Sequence, residues 1–215
     1  MRHTPHYLLT DPAEVARLVR ENPWVIWVSP AEAGLVASPY PTLVDETADG
    51  LELLTHFGRP DEVGHELGRH EVMAIVQGPH GYISPSWYPD PTAFVPTWNH
   101  VTAHLYGTPE LLEPEENLAV LERLVDAFER HVEAPRSLRL DPADAARQAK
   151  GTIGLRMRVT RFEARAKLSQ NKTPETRAAI LAALRGGGPY AQPALADAME
   201  RLAPITPEID PEGDA

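Results

Sequence analysis

Lys167-Leu168-Ser169-Gln170-Asn171-Lys172 sets two cations and three hydroxyl or amide side chains directly before a helix start at Thr173-Pro174. A helix amino terminus presents free N–H groups and partial positive charge, so such a turn suits an anion, a phosphate above all. Lysine supplies a point charge there, while Ser, Gln and Asn supply directional donors. The same residues would also make an ordinary polar turn with a threonine cap. Context favours the anion. The chain has a formal charge of −11, yet between Arg156 and Lys172 six cations (Arg156, Arg158, Arg161, Arg165, Lys167, Lys172) face Glu163 alone, a local +5. Thr55-His56-Phe57-Gly58-Arg59 repeats the layout of strand end, glycine and arginine, which makes Arg59 a second candidate anion ligand beside its plainer reading as a surface arginine.

Between residues 77 and 100 the chain reads QGPHGYISPSWYPDPTAFVPTWNH, with Tyr82, Trp87, Tyr88, Phe94 and Trp98 among Pro79, Pro85, Pro89, Pro91 and Pro96. Proline removes a backbone donor and fixes φ, so no regular central strand or helix runs through the whole segment. Loops avoid this much aromatic surface unless something covers it. Core packing is one cover. A planar ligand or a second subunit is another.

Other chemistries find little support. His65-Glu66-Leu67-Gly68-Arg69-His70 resembles a zinc-protease motif but has one residue too many. A spacing of five turns the two histidines about 140° apart on a helix. His100 and His104 share a strand face without a carboxylate or cysteine at ligand spacing, so no metal is expected. There is no cysteine, no GxSxG, no GxGxxG and no Walker-type loop, and no catalytic residue is legible.

The elements that must position these residues follow from pattern. At 215 residues the chain is one domain, or one with a small addition. No apolar run reaches membrane-span length and no signal-peptide core precedes Asp11, so a soluble, cytoplasmic protein is expected. Asp11-Pro12-Ala13-Glu14 opens a helix that Pro23 ends. Residues 24–28 read as a buried strand, and 35–38 and 42–44 as extended pieces interrupted by Pro39 and Pro41. Asp49-Gly50 signals a tight turn before a strand over 51–56. A short helix over 59–69, a strand over 72–76 and a long strand over 97–106 follow. Leu118, Leu121, Val125, Phe128 and Val132 predict a helix over 114–132. Residues 152–167 predict one long strand, and helices follow over 174–184 and 193–202. Strands without a βαβ rhythm argue for a mostly β or α+β fold, an antiparallel barrel with peripheral helices. The expected organisation is a barrel domain over 1–172, a small C-terminal helical appendage over 173–203, and a disordered acidic tail over 204–215.

QGPHGYISPSWY, VPTWN and KLSQNK, in that order, resemble the PaiB-type FMN-binding negative transcriptional regulators of bacteria, and the resemblance runs from about Trp24 to Leu184. It implies a flavin-reductase-like split β-barrel, a homodimer, and FMN at the dimer seam. The implied cofactor contacts are His56, Arg59, Tyr82, Ser84, Trp87, Trp98, Asn99, Lys167, Ser169, Gln170 and Asn171. In that scheme the phosphate lies by Lys167, Ser169, Gln170, Asn171 and Arg59, with the ring against the wall from Tyr82 to Trp98. The chain departs from the family pattern at Pro39, where a histidine is usual, at Asp61, where a neutral amide is usual, and at His100, where an aromatic is usual. An acid at position 61 works against a phosphate nearby unless it turns away. The function implied is that of a flavin-binding regulatory protein, a small flavin-dependent oxidoreductase being the alternative and a cofactor-free dimer a third. Net charge and the absence of a helix-turn-helix signal weigh against direct DNA reading, so regulation would pass through a small molecule or a protein partner.

Overall fold

The computed structural model describes residues 4–90, 92 and 95–202. Phe94, Pro91 and the acidic tail from residue 204 lie outside them. Eight strands form one sheet in the order β6-β7-β3-β2-β1-β4-β5-β8, and six α-helices complete the described residues. The pairings β1–β2, β1–β4, β2–β3, β3–β7 and β6–β7 are all antiparallel. This is the mostly β, antiparallel split-barrel class that the strand succession implies. No helix among the described residues is long and apolar enough to cross a membrane.

The chain divides into two compact units. Unit 2 comprises Thr10–Val76 and Ala103–Glu163. It contains α1 (Pro12–Glu21), β1 (Trp24–Ala31), β2 (Gly34–Thr47), β3 (Gly50–Gly58), α2 (Arg59–His65), β6 (Glu110–Leu111), α3 (Pro114–Glu129), α4 (Pro142–Ala149) and β7 (Thr152–Arg158). Asp11 caps α1 by accepting from the Ala13 N–H at 2.9 Å, with Pro12 in the first turn as expected. The β2–β3 hairpin turns at Asp49-Gly50, where φ of +116° at Gly50 needs glycine.

The structure departs from three of these expectations. Strand β1 is not buried throughout: Val25, Trp27 and Ser29 point inward, whereas Trp24 and Ile26 face solvent, because the apolar core covers only one side of the pleat. Strand β2 runs unbroken through Pro39 and Pro41. Its residues 34–41 pair with β1 and its residues 42–47 with β3, so the prolines sit where only one neighbour takes hydrogen bonds. The single strand expected over 152–167 is two, β7 and β8 (Arg161–Lys167), which go to different neighbours in the sheet. The alternation of side chains continues across the break and hides it. Gly107 lies against this break: a Cβ there would come within 2.3 Å of the Arg158 carbonyl oxygen.

Helix α3 also sits one position away from its expected face. Its buried residues are Asn117, Val120 and Leu124, and Phe128 and Val132 are exposed. Asn117 determines the rotation. Its amide donates to the carbonyl oxygens of Ala149 and Thr152, at 3.1 and 3.4 Å, and so anchors the helix by a polar group that apolar periodicity cannot register. Val120 and Leu124 then pack with Leu54 and Leu112.

Unit 1 comprises Met1–Leu9, Gln77–Thr102 and Ala164–Ala215. It holds a short 3-10 turn (Pro5–Tyr7), a second (Pro85–Trp87), α5 (Pro174–Arg185) and α6 (Pro193–Arg201). Strands β4 (Val72–Ile83), β5 (Thr97–Gly107) and β8 each contribute part of their length. The N-terminal segment is tied to β8 by the Leu9 N–H, which donates to the Ala164 carbonyl at 2.9 Å, and by a bridge between Leu8 and Arg165.

Leu124→Ala is expected to cost about 2–5 kcal/mol, as a large-to-small core change, while Phe128→Ala costs under about 1 kcal/mol. Urea denaturation of the two variants checks the assignment of the buried face, and equal losses would reject it.

Candidate functional site

In unit 1 the turn after β8 is held from inside. The Asn99 amide, fully buried, donates to Ser169 Oγ at 2.9 Å, and the same hydroxyl lies 3.2 Å from Asn99 Oδ1. Ser169 has φ of +55°, an uncommon conformation for a residue with a Cβ, and this pair keeps it there. Gln170 is 1% exposed and both ends of its amide meet main chain: Oε1 accepts from Leu168 N–H and Nε2 donates to Ala166 O, each at 2.6 Å. Arg177 donates to the carbonyls of Leu168, Met199 and Leu202. Burial pulls its guanidinium below the ordinary arginine value. Asn171 and Lys172 are exposed, with Lys172 Nζ 5.9 Å from the centre of the Tyr88 ring. Thr173 caps α5 through the Thr176 N–H.

Lys167 points along the neighbouring face. Its ammonium donates to Thr97 Oγ1 at 2.7 Å and lies 6.0 Å from the centre of the buried Tyr7 ring. On the same unit Trp98 is 57% exposed. Its ring stands 6.5 Å from His80, nearly parallel, and 6.3 Å from Tyr82, edge-on. Tyr82 also touches Tyr190 at 5.0 Å. Trp87 is half-buried in the second 3-10 turn, which Ser84 caps by accepting from the Ser86 N–H. Unit 1 thus holds three local contacts, Tyr82 with Trp98, Asn99 with Ser169 and Lys167 with Thr97, and the consecutive β5 residues Thr97, Trp98 and Asn99 take part in one each.

His56 and Arg59 belong to unit 2. His56 is partly buried, and its Nδ1 has no hydrogen-bond partner. Burial holds its imidazole below the ordinary histidine range. Arg59 is half exposed and donates through Nε to the Lys150 carbonyl at 3.0 Å, with Glu62 at 3.6 Å. The same unit holds a polar relay that sequence reasoning did not foresee. Ser29 Oγ meets His65 Nδ1 at 2.8 Å, and His65 Nε2 meets Ser38 Oγ at 3.0 Å. Asp61 accepts from the Tyr40 hydroxyl at 2.8 Å, and that hydroxyl accepts from the Gly58 N–H at 3.1 Å. Hydrogen bonds from Tyr40 and then Ser38 hold the Asp61 carboxyl below its usual range. The acid that takes the place of the family's neutral amide is thus occupied inside its own unit. His65 is fully buried, and desolvation lowers its pKa against the opposing pull of Asp61. Asp61 and His65 stand out in the sequence, but Ser29, Ser38 and Tyr40 lie on β1 and β2, where no spacing links them to α2.

A groove of about 600 Å³ in unit 2 lies elsewhere, lined by Arg20, Leu43, Arg123 and Phe128 among others, and it contains none of the residues expected to form a site. Two of its arginines are already paired, Arg20 with Glu46 and Arg123 with Asp45.

Residues 1–161 match the sequence profile of a family described as "Putative FMN-binding domain". The chain is 31% identical over 170 residues to "Protease synthase and sporulation protein PAI 2" of Bacillus subtilis (strain 168), covering 78% of this chain and 81% of that one. Among solved structures it is similar to the FAD and heme binding protein of Mycobacterium smegmatis (TM-score 0.58, 18% identity, 85% of this chain and 81% of that one). It is also similar to the flavocytochrome Anf3 of Azotobacter vinelandii (TM-score 0.58, 12% identity, 99% and 88%). At these identities the two structures establish the fold alone.

Two histidines whose pKa burial lowers set a pH response. Below about 6.5 the unfolded chain takes up protons that His65 and His56, with lowered folded pKa values, refuse. Stability is therefore expected to fall as pH drops from 7 to 5, with a shallower slope in His65→Asn. Denaturant midpoints across that range measure it, and parallel slopes would remove His65 from the account.

Proposed function

The chain belongs to this FMN-binding domain family, and on that premise we propose that it is a flavin mononucleotide-binding regulatory protein with most of its binding determinants on unit 1. One observation carries the reading: in a strongly acidic chain an exposed indole, Trp98, stands next in β5 to Thr97, whose hydroxyl accepts from the Lys167 ammonium. A planar aromatic ligand gains from stacking there and from removing that surface from water. A phosphate gains from a nearby ammonium and from helix-start donors.

The residues present fit such a group. Buried polar atoms without a partner are rare in native proteins and call for an explanation. Unit 1 has one in Arg165 Nε, on the strand that carries Lys167. In this reading Lys167 and Asn171 meet the phosphate, while Ser169, Gln170 and Asn99 shape the turn that presents them. Tyr82, Trp87 and Trp98 stack on the ring, and Ser84 fixes the turn that carries Trp87. His56 and Arg59 are proposed as ligand contacts of unit 2 in their own right, the orphaned His56 Nδ1 being the supporting observation there. Bound FMN supplies a redox-active ring. The chain supplies position, charge and shelter from water.

Exposed apolar side chains also support a homodimer, since Trp98 at 57% and Val95 at 74% exposure would profit from a cover. Regulation then passes through the ligand or a protein partner, in keeping with the net charge of −11, which opposes tight direct contact with DNA. A small flavin-dependent oxidoreductase is the alternative, and bleaching of the flavin by NAD(P)H would select it.

The expected outcome is a flavin absorbance spectrum in the purified protein, or quenching of FMN fluorescence on titration into it. Lys167→Ala should weaken FMN at least about tenfold, roughly 1.4 kcal/mol, with Asp61→Asn near the parent because Asp61 is engaged by Tyr40. Equal FMN affinity in Lys167→Ala and the parent would place the phosphate elsewhere.

A further inference from the structure

Arg165 is the unusual cation of unit 1. It is 9% exposed, its Nη2 donates to Thr4 Oγ1 at 3.2 Å, and its Cζ stands 5.2 Å from the centre of the Tyr7 ring. Its Nε is buried without a partner, and among the described residues no carboxylate lies within ion-pair distance of it. The contrast with other arginines is informative. Arg156 meets three glutamates, Arg161 meets Glu71, and Arg185 meets Asp197 and Glu200. The buried Arg177 is solvated by three carbonyls. An acidic chain that pairs its exposed arginines this freely leaves Arg165 in the interior with one hydroxyl and one ring face. Cation–π attraction is modest beside the cost of taking a guanidinium out of water.

The surroundings add to the imbalance. Lys167 lies two residues along the same strand, hence on the same face, and looks onto the same Tyr7 ring. His100 of β5 is held below the ordinary histidine range by burial, then by the charges of Arg165, Lys167 and His80. These groups repel one another, and a dianion placed among them would satisfy the orphaned Nε and offset the repulsion.

We infer that Arg165, with Lys167 and His100, forms a phosphate-binding subsite on the β8 face of unit 1, and that Arg165 makes ligand affinity depend on the phosphate. The inference deepens the flavin mononucleotide reading and rests on it for the identity of the whole ligand. The phosphate itself could belong to the flavin or to a separate phosphorylated molecule.

The test uses the full chain as parent, Arg165→Gln and Arg165→Lys. FMN and riboflavin are titrated into each and followed by flavin fluorescence, and thermal melts are recorded with inorganic phosphate against chloride at matched ionic strength. Arg165→Gln is expected to weaken FMN at least tenfold and leave riboflavin within twofold, while Arg165→Lys stays within threefold of the parent. Phosphate should raise the melting temperature of the parent and not of Arg165→Gln. Without ligand, Arg165→Gln should melt at or above the parent, because it removes an uncompensated buried charge. Competition between phosphate and FMN assigns the subsite to the flavin's own phosphate, and additive stabilisation by riboflavin and phosphate assigns it to a second molecule. Should the parent bind no flavin, the functional reading fails, and the phosphate melts alone decide the subsite: no phosphate-dependent shift then overturns it. Unchanged FMN affinity in Arg165→Gln together with no phosphate-dependent shift in the parent, equal losses of FMN and riboflavin, or a lower ligand-free melting temperature would each overturn it as well.

Discussion

A buried turn must find partners for its own main-chain polar groups, and the region around Lys167 depends on how that requirement is met. No ladder or helix reaches the segment between β8 and α5. Gln170 folds back to take the Leu168 N–H and the Ala166 carbonyl, and Arg177 supplies donors to Leu168, Met199 and Leu202. Asn99 then clamps Ser169 in its left-handed conformation. With these polar side chains turned inward, the turn needs no water inside it, and its outward face is left to cations and exposed amides. Amide groups that look in sequence like ligand donors are, in space, what makes a rigid platform for the donors that remain.

Unit 2 solves a related problem with a different device. The approach to α2 has a glycine cap and an acid in the first turn, an arrangement that could disturb an anion. Tyr40 donates to Asp61 while accepting from the Gly58 N–H, so one hydroxyl both fixes the carboxylate, whose charge it stabilises, and satisfies the helix entry. Behind it, His65 between two serines carries the polar path into the core, where the Phe57 ring meets it edge-on at 5.2 Å. Such a path is costly unless every member is paired, and here the imidazole uses both nitrogens.

Much of the architecture was legible because local chemistry and tertiary demand agree. Asp11-Pro12 starts a helix, Asp49-Gly50 turns a hairpin, and Thr173-Pro174 opens α5, each through a backbone requirement that few residues meet. The misses share a cause, since periodicity reads apolar side chains and ignores polar anchors and partner changes. Asn117 rotates α3 away from the face its leucines suggested, and the alternating run after Gly151 concealed the passage from β7 to β8. Helix α4 went unread although Asp141 caps it through the Asp144 N–H. Among the candidate contacts, residue types drew attention to the turn at Lys167 but could not say which amides face inward. Nothing in the letters distinguished Arg165 from its neighbours, because an orphaned nitrogen exists only once its surroundings are known.

The exposure of Trp98 has an optical corollary. The chain has four tryptophans, of which Trp27 is sealed in the core at 0% exposure, Trp87 is half-buried, and Trp24 and Trp98 stand at 62% and 57%. Indole emission reddens in water and is open to quenching by dissolved iodide, whereas a sealed indole emits blue and is protected. The protein thus carries its own polarity gauge, with a fixed blue reference in Trp27 and a red signal that fades from Trp98 when any surface, aromatic or proteinaceous, comes to rest on it.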